Sequence, residues 1–206
     1  MTEKAAPRSD LKRQTWIVLA IWVVVGAFMI RNAIPVIREW TFPDPDDAMR
    51  LMQVRDWLAG QSWFDVTQYR LNPPAGGPMH WSRLVDVPIA GVILLARLFL
   101  SEHAAETAAL IAIPLLTLGI AMVLVHRIAF KLMGGSSAAL LAVLATPASL
   151  GAMKQMKIMR VDHHGWQIVL ALVAMLAVLD QRPRRSGLVA GLAMAVWLNI
   201  SIEGLP

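Results

Sequence analysis

Two short clusters of acidic and imidazole side chains could do chemistry in this chain, and the sharper one is Asp162-His163-His164. Asp162 and His164 are separated by one residue, and residues two apart in an extended segment project to the same side. A carboxylate and an imidazole facing one point can bind a divalent cation. Carboxylates suit Mg²⁺ or Mn²⁺, and an added imidazole moves the preference toward Mn²⁺, Fe²⁺ or Zn²⁺. The alternative is that Asp162 caps the helix that follows and both histidines are solvated.

The second cluster is acidic and lies at the start of a predicted helix. Asp44-Pro45-Asp46-Asp47 precedes apolar residues at helical spacing, and Gly60 follows them. Asp44 suits the cap, Pro45 the first helical position and Gly60 the C-terminal end. A cap uses one acid and the helix dipole favours another, so this cluster has more acids than a helix start requires. Asp46 and Asp47 are therefore either helix-start residues or candidate ligands and catalytic acids.

The composition indicates a multi-spanning membrane protein. Of 206 residues, 57% are hydrophobic and 16% are charged, against about 25% charged in a typical soluble domain. The absence of Cys excludes a disulfide scaffold, a thiolate metal site and a cysteine nucleophile. In a membrane protein the net charge of +5 reports orientation. Nucleic-acid binding is not expected, because the chain has a single Tyr and no basic–aromatic repeat.

Uncharged stretches predict an all-α, multi-pass fold with about five transmembrane helices, because a membrane helix needs roughly 17–25 mostly apolar residues. The chain, 1–206, forms a single transmembrane domain with predicted spans near 14–34, 105–126, 132–153, 165–180 and 186–202. Pro147 predicts a kink in the third span. The stretch 87–100 is apolar but short, and Arg97 interrupts it. We expect an interfacial or re-entrant helix there, within a long outer loop, 38–106, that contains amphipathic helices.

Basic residues predict the orientation, because short loops rich in Lys and Arg stay cytoplasmic. With five spans, the N-terminus and all three basic clusters fall on the cytoplasmic side. The clusters are Lys4, Arg8, Lys12 and Arg13; Arg127 and Lys131; and Arg182, Arg184 and Arg185. The acidic cluster at 44–47 then lies in the first outer loop, and the Asp162-His163-His164 cluster lies in the second outer loop, 154–164. Both clusters are therefore on the outer side.

The second outer loop carries positive charge where the orientation rule does not favour it. Lys154, Lys157 and Arg160 lie in this loop. Cations beside acidic metal ligands suit a phosphate-bearing substrate, because the metal and the cations share its charge. Snorkelling of these side chains to lipid headgroups is the simpler alternative. Candidate phosphate contacts are Arg55, Lys157 and Arg160, and further outer cations are Arg50, Arg70 and Arg83.

At these residues the chain resembles the catalytic subunit of oligosaccharyltransferases, in the GT-C class of membrane glycosyltransferases. The helix ending Val54-Arg55-Asp56-Trp57-Leu58-Ala59-Gly60 is similar to bacterial members. In that register the family's metal-binding, acceptor-activating aspartate falls on Asp46, with Asp47 as the adjacent alternative. Asp162-His163-His164 is similar to the Asp-x-His version of the second-loop motif in archaeal members, where the Asp and the second His hold the metal.

The resemblance implies a glycosyltransferase of the cytoplasmic membrane with its active site facing the periplasm or outside. It would transfer a glycan from a polyprenyl-phosphate or polyprenyl-pyrophosphate donor to a protein or other acceptor, as in protein glycosylation. Asp46, Asp162 and His164 would hold Mn²⁺ or Mg²⁺, and Asp46 and Asp47 would be the catalytic residues. The family's later acidic motif and soluble acceptor-reading domain are not among these residues, so we expect the N-terminal part of a longer protein.

Other functions stay open at this stage. A metal-independent GT-C transferase that uses a polyprenyl-monophosphate sugar also places an acidic pair after its first span, without the Asp-x-His motif. A non-catalytic membrane scaffold subunit would tolerate changes at Asp162 and His164. A transporter or channel would carry ionisable residues within its spans, and none lies in the apolar runs 14–30, 107–125, 132–153, 165–179 and 186–202.

Overall fold

The described part of the chain is predominantly helical, which confirms the predicted helical class. The computed structural model describes residues 8–202, so Lys4 of the first basic cluster lies outside the described residues. A short antiparallel pair, β1 (Thr67–Gln68) and β2 (Gly77–Pro78), interrupts the helices. The helices are α1 (Arg8–Glu39), α2 (Pro45–Leu58), α3 (Asp86–Ala96), α4 (Glu102–Met133), α5 (Ser136–Ala145), α6 (Leu150–Gln155), α7 (His164–Val178) and α8 (Pro183–Ile200).

Two helices are long and apolar enough to cross a membrane, judged by length and composition. They are Arg13–Glu39 within α1 and Glu102–Met133, which is α4. The other predicted spans also coincide with helical segments, which are shorter or less apolar. The five-span arrangement and its orientation stay predictions.

The helix of the third predicted span is interrupted at Pro147, where the sequence predicted a kink. α5 ends at Ala145, a 3₁₀ turn covers Thr146–Ala148, and α6 begins at Leu150. Pro147 lies in that turn, and a proline has no N–H to donate to the preceding helical turn. The chain therefore leaves α5 and restarts as a short helix that leads into the second loop.

α4 is the helix around which α1, α3, α5 and α7 pack. α1 packs against α4 at Gly119, where a Cβ atom would lie 2.9 Å from Nε1 of Trp22. That Nε1 donates to the backbone oxygen of Leu115 at 2.8 Å. A glycine at this position thus lets the indole reach the backbone of the central helix.

The long first loop is organised by α2 and α3, in agreement with the predicted helices there. Asp44 caps α2 by accepting the N–H of Asp46, and Pro45 is the first helical residue. α3 lies within the apolar stretch that was expected to be interfacial or re-entrant. Its Ile89 and Ile93 are fully buried, and the helix packs on α4.

A buried ionic cluster holds α2 against α3. The carboxylate of Asp86 accepts Nη1 of Arg50 at 3.0 Å and Nε2 of Gln53 at 2.8 Å. Arg83 donates to the backbone oxygen of Gln53 at 2.8 Å and lies 3.4 Å from Asp86. All four side chains are buried, so each depends on its partners rather than on water.

Loss of the Asp86 carboxylate should be strongly destabilising. Asp86→Ala leaves the guanidinium groups of Arg50 and Arg83 buried without their acid, and we expect the free energy of unfolding to fall by about 3–5 kcal/mol. Asp56→Ala is the control, because it removes an exposed pair with Arg70 and should change stability by about 1 kcal/mol or less. Denaturant unfolding in detergent micelles measures both. Equal losses in the two variants would contradict a buried cluster.

Candidate functional site

Asp47 joins the two chemical clusters that the sequence separates. It lies in the first turn of α2 and its side chain is fully buried. Its Oδ1 accepts the N–H of Val161 at 2.8 Å and the N–H of Asp162 at 3.1 Å, across separations of 114 and 115 residues. One carboxylate therefore fixes the start of α2 to the loop that carries the Asp-x-His motif.

Asp46, the residue expected to meet this loop, faces a different direction in the same turn. It is exposed, and its own backbone N–H donates to Oδ1 of Asp44 at 3.1 Å. The structure thus brings Asp47 into hydrogen-bond contact with the second loop and leaves Asp46 accessible to solvent.

Arg160 lies among three carboxylates. Its Nη2 is 2.7 Å from Oδ2 of Asp162, and its Nη1 is 3.5 Å from Asp44 and 3.7 Å from Asp47. The side chain is 7% exposed, so water screens these interactions only weakly. Arg160 was a predicted phosphate contact, and in this structure its guanidinium lies against the protein's own acids.

Asp162 and His164 contact each other directly. Oδ1 of Asp162 accepts the backbone N–H of His164 at 3.0 Å, and Nδ1 of His164 lies 2.9 Å from Oδ2. The first bond holds the start of α7, so part of the predicted capping role is present. This contact fixes the orientation of the imidazole ring by its Nδ1 side. His163 stacks on His164 at 4.4 Å between ring centroids.

A proline in α4 anchors the same loop from the other side. Pro114 lies inside α4 and has no N–H, so the carbonyl of Leu110 lacks its usual partner one turn later. That carbonyl accepts the N–H of Met159 at 3.0 Å. Met159 has a φ of 72°, a left-handed conformation that a methionine adopts only under tertiary constraint. The loop is thus tied to both α2 and α4 immediately before Asp162.

Burial raises the pKa of Asp47 from its ordinary 3.8 to about 7, and the nearby Asp162 carboxylate adds to the rise. The N–H groups of Val161 and Asp162 and the charge of Arg160 oppose the rise by stabilising the ionised form. Asp47 therefore changes charge close to neutral pH, whereas an exposed aspartate would stay ionised there.

The predicted metal ligands fit a divalent cation in chemistry but are not assembled around one point. Among residues 13–202, whose side chains the structure describes, no group of three or more Asp, Glu or His side chains is placed to hold a metal ion. The guanidinium of Arg160 lies between Asp47 and Asp162, where it supplies positive charge to both. The metal site formed by Asp46, Asp162 and His164 stays a prediction.

Four arginines of the first outer loop are paired with acids, whereas two lysines of the second outer loop are exposed. Arg55 forms a two-pronged ion pair with Glu106, at 2.6 Å for both bonds, and this pair raises the pKa of Arg55. Arg50 and Arg83 are paired with Asp86, as described above, and Arg70 is paired with Asp56. Lys154 and Lys157 are exposed, and neither has an ion pair with any side chain in the described range.

An apolar groove of about 990 Å³ includes these two lysines in its lining. Residues 41–43, which lead into the acidic start of α2, line the same groove. Apart from Asn32, the remaining wall is apolar and comes from α1, from the broken third segment and from Ile158. It includes Val25, Phe28, Met29, Leu150 and Met153. The groove therefore adjoins both segments of the candidate site and combines an apolar wall with two cations.

Sequence reasoning missed the acids that neutralise the outer arginines. Glu106 is 1% exposed, and it lies at the beginning of an apolar span. A carboxylate in that position requires a cationic partner, and this was the available signal. Nothing in the sequence identified Arg55 as that partner, because the two residues lie on separate helices.

Comparisons with protein-family models, with curated proteins and with solved structures find no match for this chain.

Asp47 should make stability depend on pH. The unfolded carboxyl ionises near 3.8 and the folded one near 7, so the folded state binds the extra proton in that interval. Stability should then fall as pH rises from about 4 to about 7 and stay level above it. Asp47→Asn keeps an oxygen acceptor without the charge. The free energy of unfolding of Asp47→Asn, taken relative to the wild type, should therefore be higher at about pH 8 than at about pH 5 by on the order of 2 kcal/mol.

Thermal unfolding in a metal-chelated buffer at both pH values measures this difference. Asp46→Asn is the matched control, because Asp46 is the exposed neighbour of Asp47 and should retain the wild-type pH profile. If Asp47→Asn shows the same pH profile as the wild type, the raised pKa of Asp47 is wrong.

Proposed function

We propose that this chain carries the catalytic region of a membrane glycosyltransferase that uses a polyprenyl-linked phosphate or pyrophosphate as its donor. The observation that carries the proposal is the contact between Asp47 and the 160–164 loop, which joins the acidic cluster to the Asp-x-His cluster. The resemblance of both motifs to oligosaccharyltransferases supplies the reaction type, which is glycan transfer to a protein or other acceptor.

The exposed surface of α1 supports a location in the lipid bilayer. Trp16, Val24 and Phe28 are 73%, 69% and 67% exposed, and water is an unfavourable neighbour for so many large apolar side chains on one helix. The 159–165 loop packs beside the N-terminal half of α4, where Met159 donates to the carbonyl of Leu110, and Arg127 and Lys131 lie near the C-terminal end of that helix. We propose that the site faces the outside and that the N-terminus is cytoplasmic, as the basic residues predict.

The groove beside the site supports a lipid-phosphate donor. A polyprenyl chain is a long apolar ligand, and the wall formed by α1 and the third segment matches it chemically. Lys154 and Lys157 would pair with the phosphate, since they are exposed and lack acidic partners in the part of the chain that is described. The donor would then present its sugar toward the loop that contains Asp162 and His164.

The two adjacent acids would have different roles. Asp46 is exposed, so its carboxylate can reach an acceptor and position it or take its proton. Asp47 is buried and bonded to the 161–162 backbone, so it positions the second loop instead of touching the acceptor. Asp162 holds His164 by its Nδ1 side, which would fix the orientation of the imidazole ring in the site.

A bound Mn²⁺ or Mg²⁺ would neutralise charge on the leaving phosphate. Asp46, Asp162 and His164 would hold it, and Arg160 would have to move from Asp162 to make both carboxylate oxygens available. The position of Arg160 favours a second candidate, the metal-independent GT-C transferase that uses a polyprenyl-monophosphate sugar. In that enzyme the guanidinium would neutralise the acids without a metal.

Transfer from a lipid-linked donor tests the proposal directly. The full-length protein in proteoliposomes, supplied with polyprenyl-linked radiolabelled sugars, should transfer sugar to acceptor. Asp162→Ala should lower the rate by roughly a hundredfold or more, because it removes the partner of both Arg160 and His164. Asp56→Ala, a change in a half-buried acid of α2 whose partner is the exposed Arg70, should retain the wild-type rate. Unchanged transfer by Asp162→Ala would show that the site is assigned wrongly, and no transfer by the wild type would favour a scaffold subunit.

The same assay distinguishes the two candidate mechanisms. Loss of transfer after chelation, with recovery on adding Mn²⁺, would establish the metal-dependent enzyme. Full transfer in chelator, with loss of activity in Arg160→Gln, would establish the metal-independent one.

A further inference from the structure

A second cavity lies at the far end of α4 from the candidate site. It has a volume of about 560 Å³ and is formed where the end of α4 meets the turn between α7 and α8. One part of its wall is apolar, with Phe130, Val173, Leu176, Ala177 and Val189. The other part is polar, with Arg127, Lys131, Asp180, Arg182 and Arg185. An apolar wall and a cationic rim therefore share one concave surface.

The rim carries uncompensated positive charge. Asp180 is its single acid, and it pairs with Arg182 at 3.2 Å and with Arg185 at 3.8 Å. Lys131 donates to the backbone oxygen of Leu179 at 3.3 Å, which positions the ammonium group without neutralising it. Arg127 is exposed and forms no ion pair with any described side chain. Four cations therefore face one carboxylate.

We infer that this cavity binds an anionic phospholipid, with its phosphate on the cationic rim and an acyl chain along the apolar wall. Arg127 and Lys131 are one helical turn apart on α4, and Arg182 and Arg185 come from the opposite side of the cavity. Basic pockets between membrane helices are the sites where anionic headgroups bind on the cytoplasmic side. Cations that only snorkel to bulk headgroups need no concave apolar wall beside them.

The chemistry distinguishes a lipid from a free anion. Inorganic phosphate would use the rim alone, and the five apolar side chains would gain nothing from it. A phospholipid uses both parts of the surface, because its phosphate contacts the cationic rim and its acyl chain covers the apolar wall. This site depends on the chain lying in a bilayer, but it does not depend on transferase activity or on Asp162.

Lipid retention by the full-length protein provides the test. The protein is purified from nanodiscs that contain phosphatidylglycerol and phosphatidylcholine, and native mass spectrometry measures the lipids that stay bound. The wild type should retain phosphatidylglycerol in preference. The double variant Arg127→Gln with Lys131→Gln should lower that preference by roughly tenfold or more. The control Arg31→Gln with Arg38→Gln removes the same charge from exposed positions of α1 and should leave the preference unchanged.

A variant that binds more lipid distinguishes the proposal from a loss of binding caused by misfolding. Asp180→Asn removes the only acid of the cavity while keeping an oxygen that can accept the N–H of Arg182. It should strengthen retention of phosphatidylglycerol severalfold, which misfolding would not do. The proposal is overturned if the wild type shows no preference, if both double variants lose it equally, or if inorganic phosphate displaces the lipid.

Discussion

The buried carboxylate of Asp47 accepts two backbone N–H groups from a loop more than a hundred residues away, and the candidate site depends on this contact. Burying a carboxylate is unfavourable unless donors satisfy it, and Val161 and Asp162 provide those donors. These donors compensate burial only in part, because burial still raises the pKa of Asp47. In exchange, the first turn of α2 and the Asp-x-His loop are held in one place, with Asp46 exposed beside them.

Two other constraints act on the same loop and make its position well determined. Pro114 has no N–H to donate within α4, so the carbonyl of Leu110 accepts the N–H of Met159 instead. Arg160 then balances the acids that the Asp47 contact brings together. A helix irregularity, a buried acid and a buried cation thus act within four consecutive loop positions. This concentration of compensating interactions is typical of a site whose geometry matters for function.

Features set by local chemistry could be predicted from the sequence, and features set by distant partners could not. The start of α2 follows from Asp44 and Pro45, and the break in the third segment follows from Pro147, because capping and proline effects act within one turn. The choice between Asp46 and Asp47 depends on a loop far along the chain. Arg55 was interpreted as a substrate contact for the same reason, since its buried partner Glu106 lies on another helix. The five spans and the metal stay predictions.

Hydrogen exchange of the second loop tests the central contact without any substrate. Peptides covering residues 159–163 should exchange slowly in the wild type and in Asp46→Ala. In Asp47→Ala the N–H groups of Val161 and Asp162 lose their acceptor, so these peptides should exchange roughly tenfold faster or more. Equal exchange in Asp47→Ala and in the wild type would show that Asp47 does not hold the loop, and the two clusters would then no longer form one site.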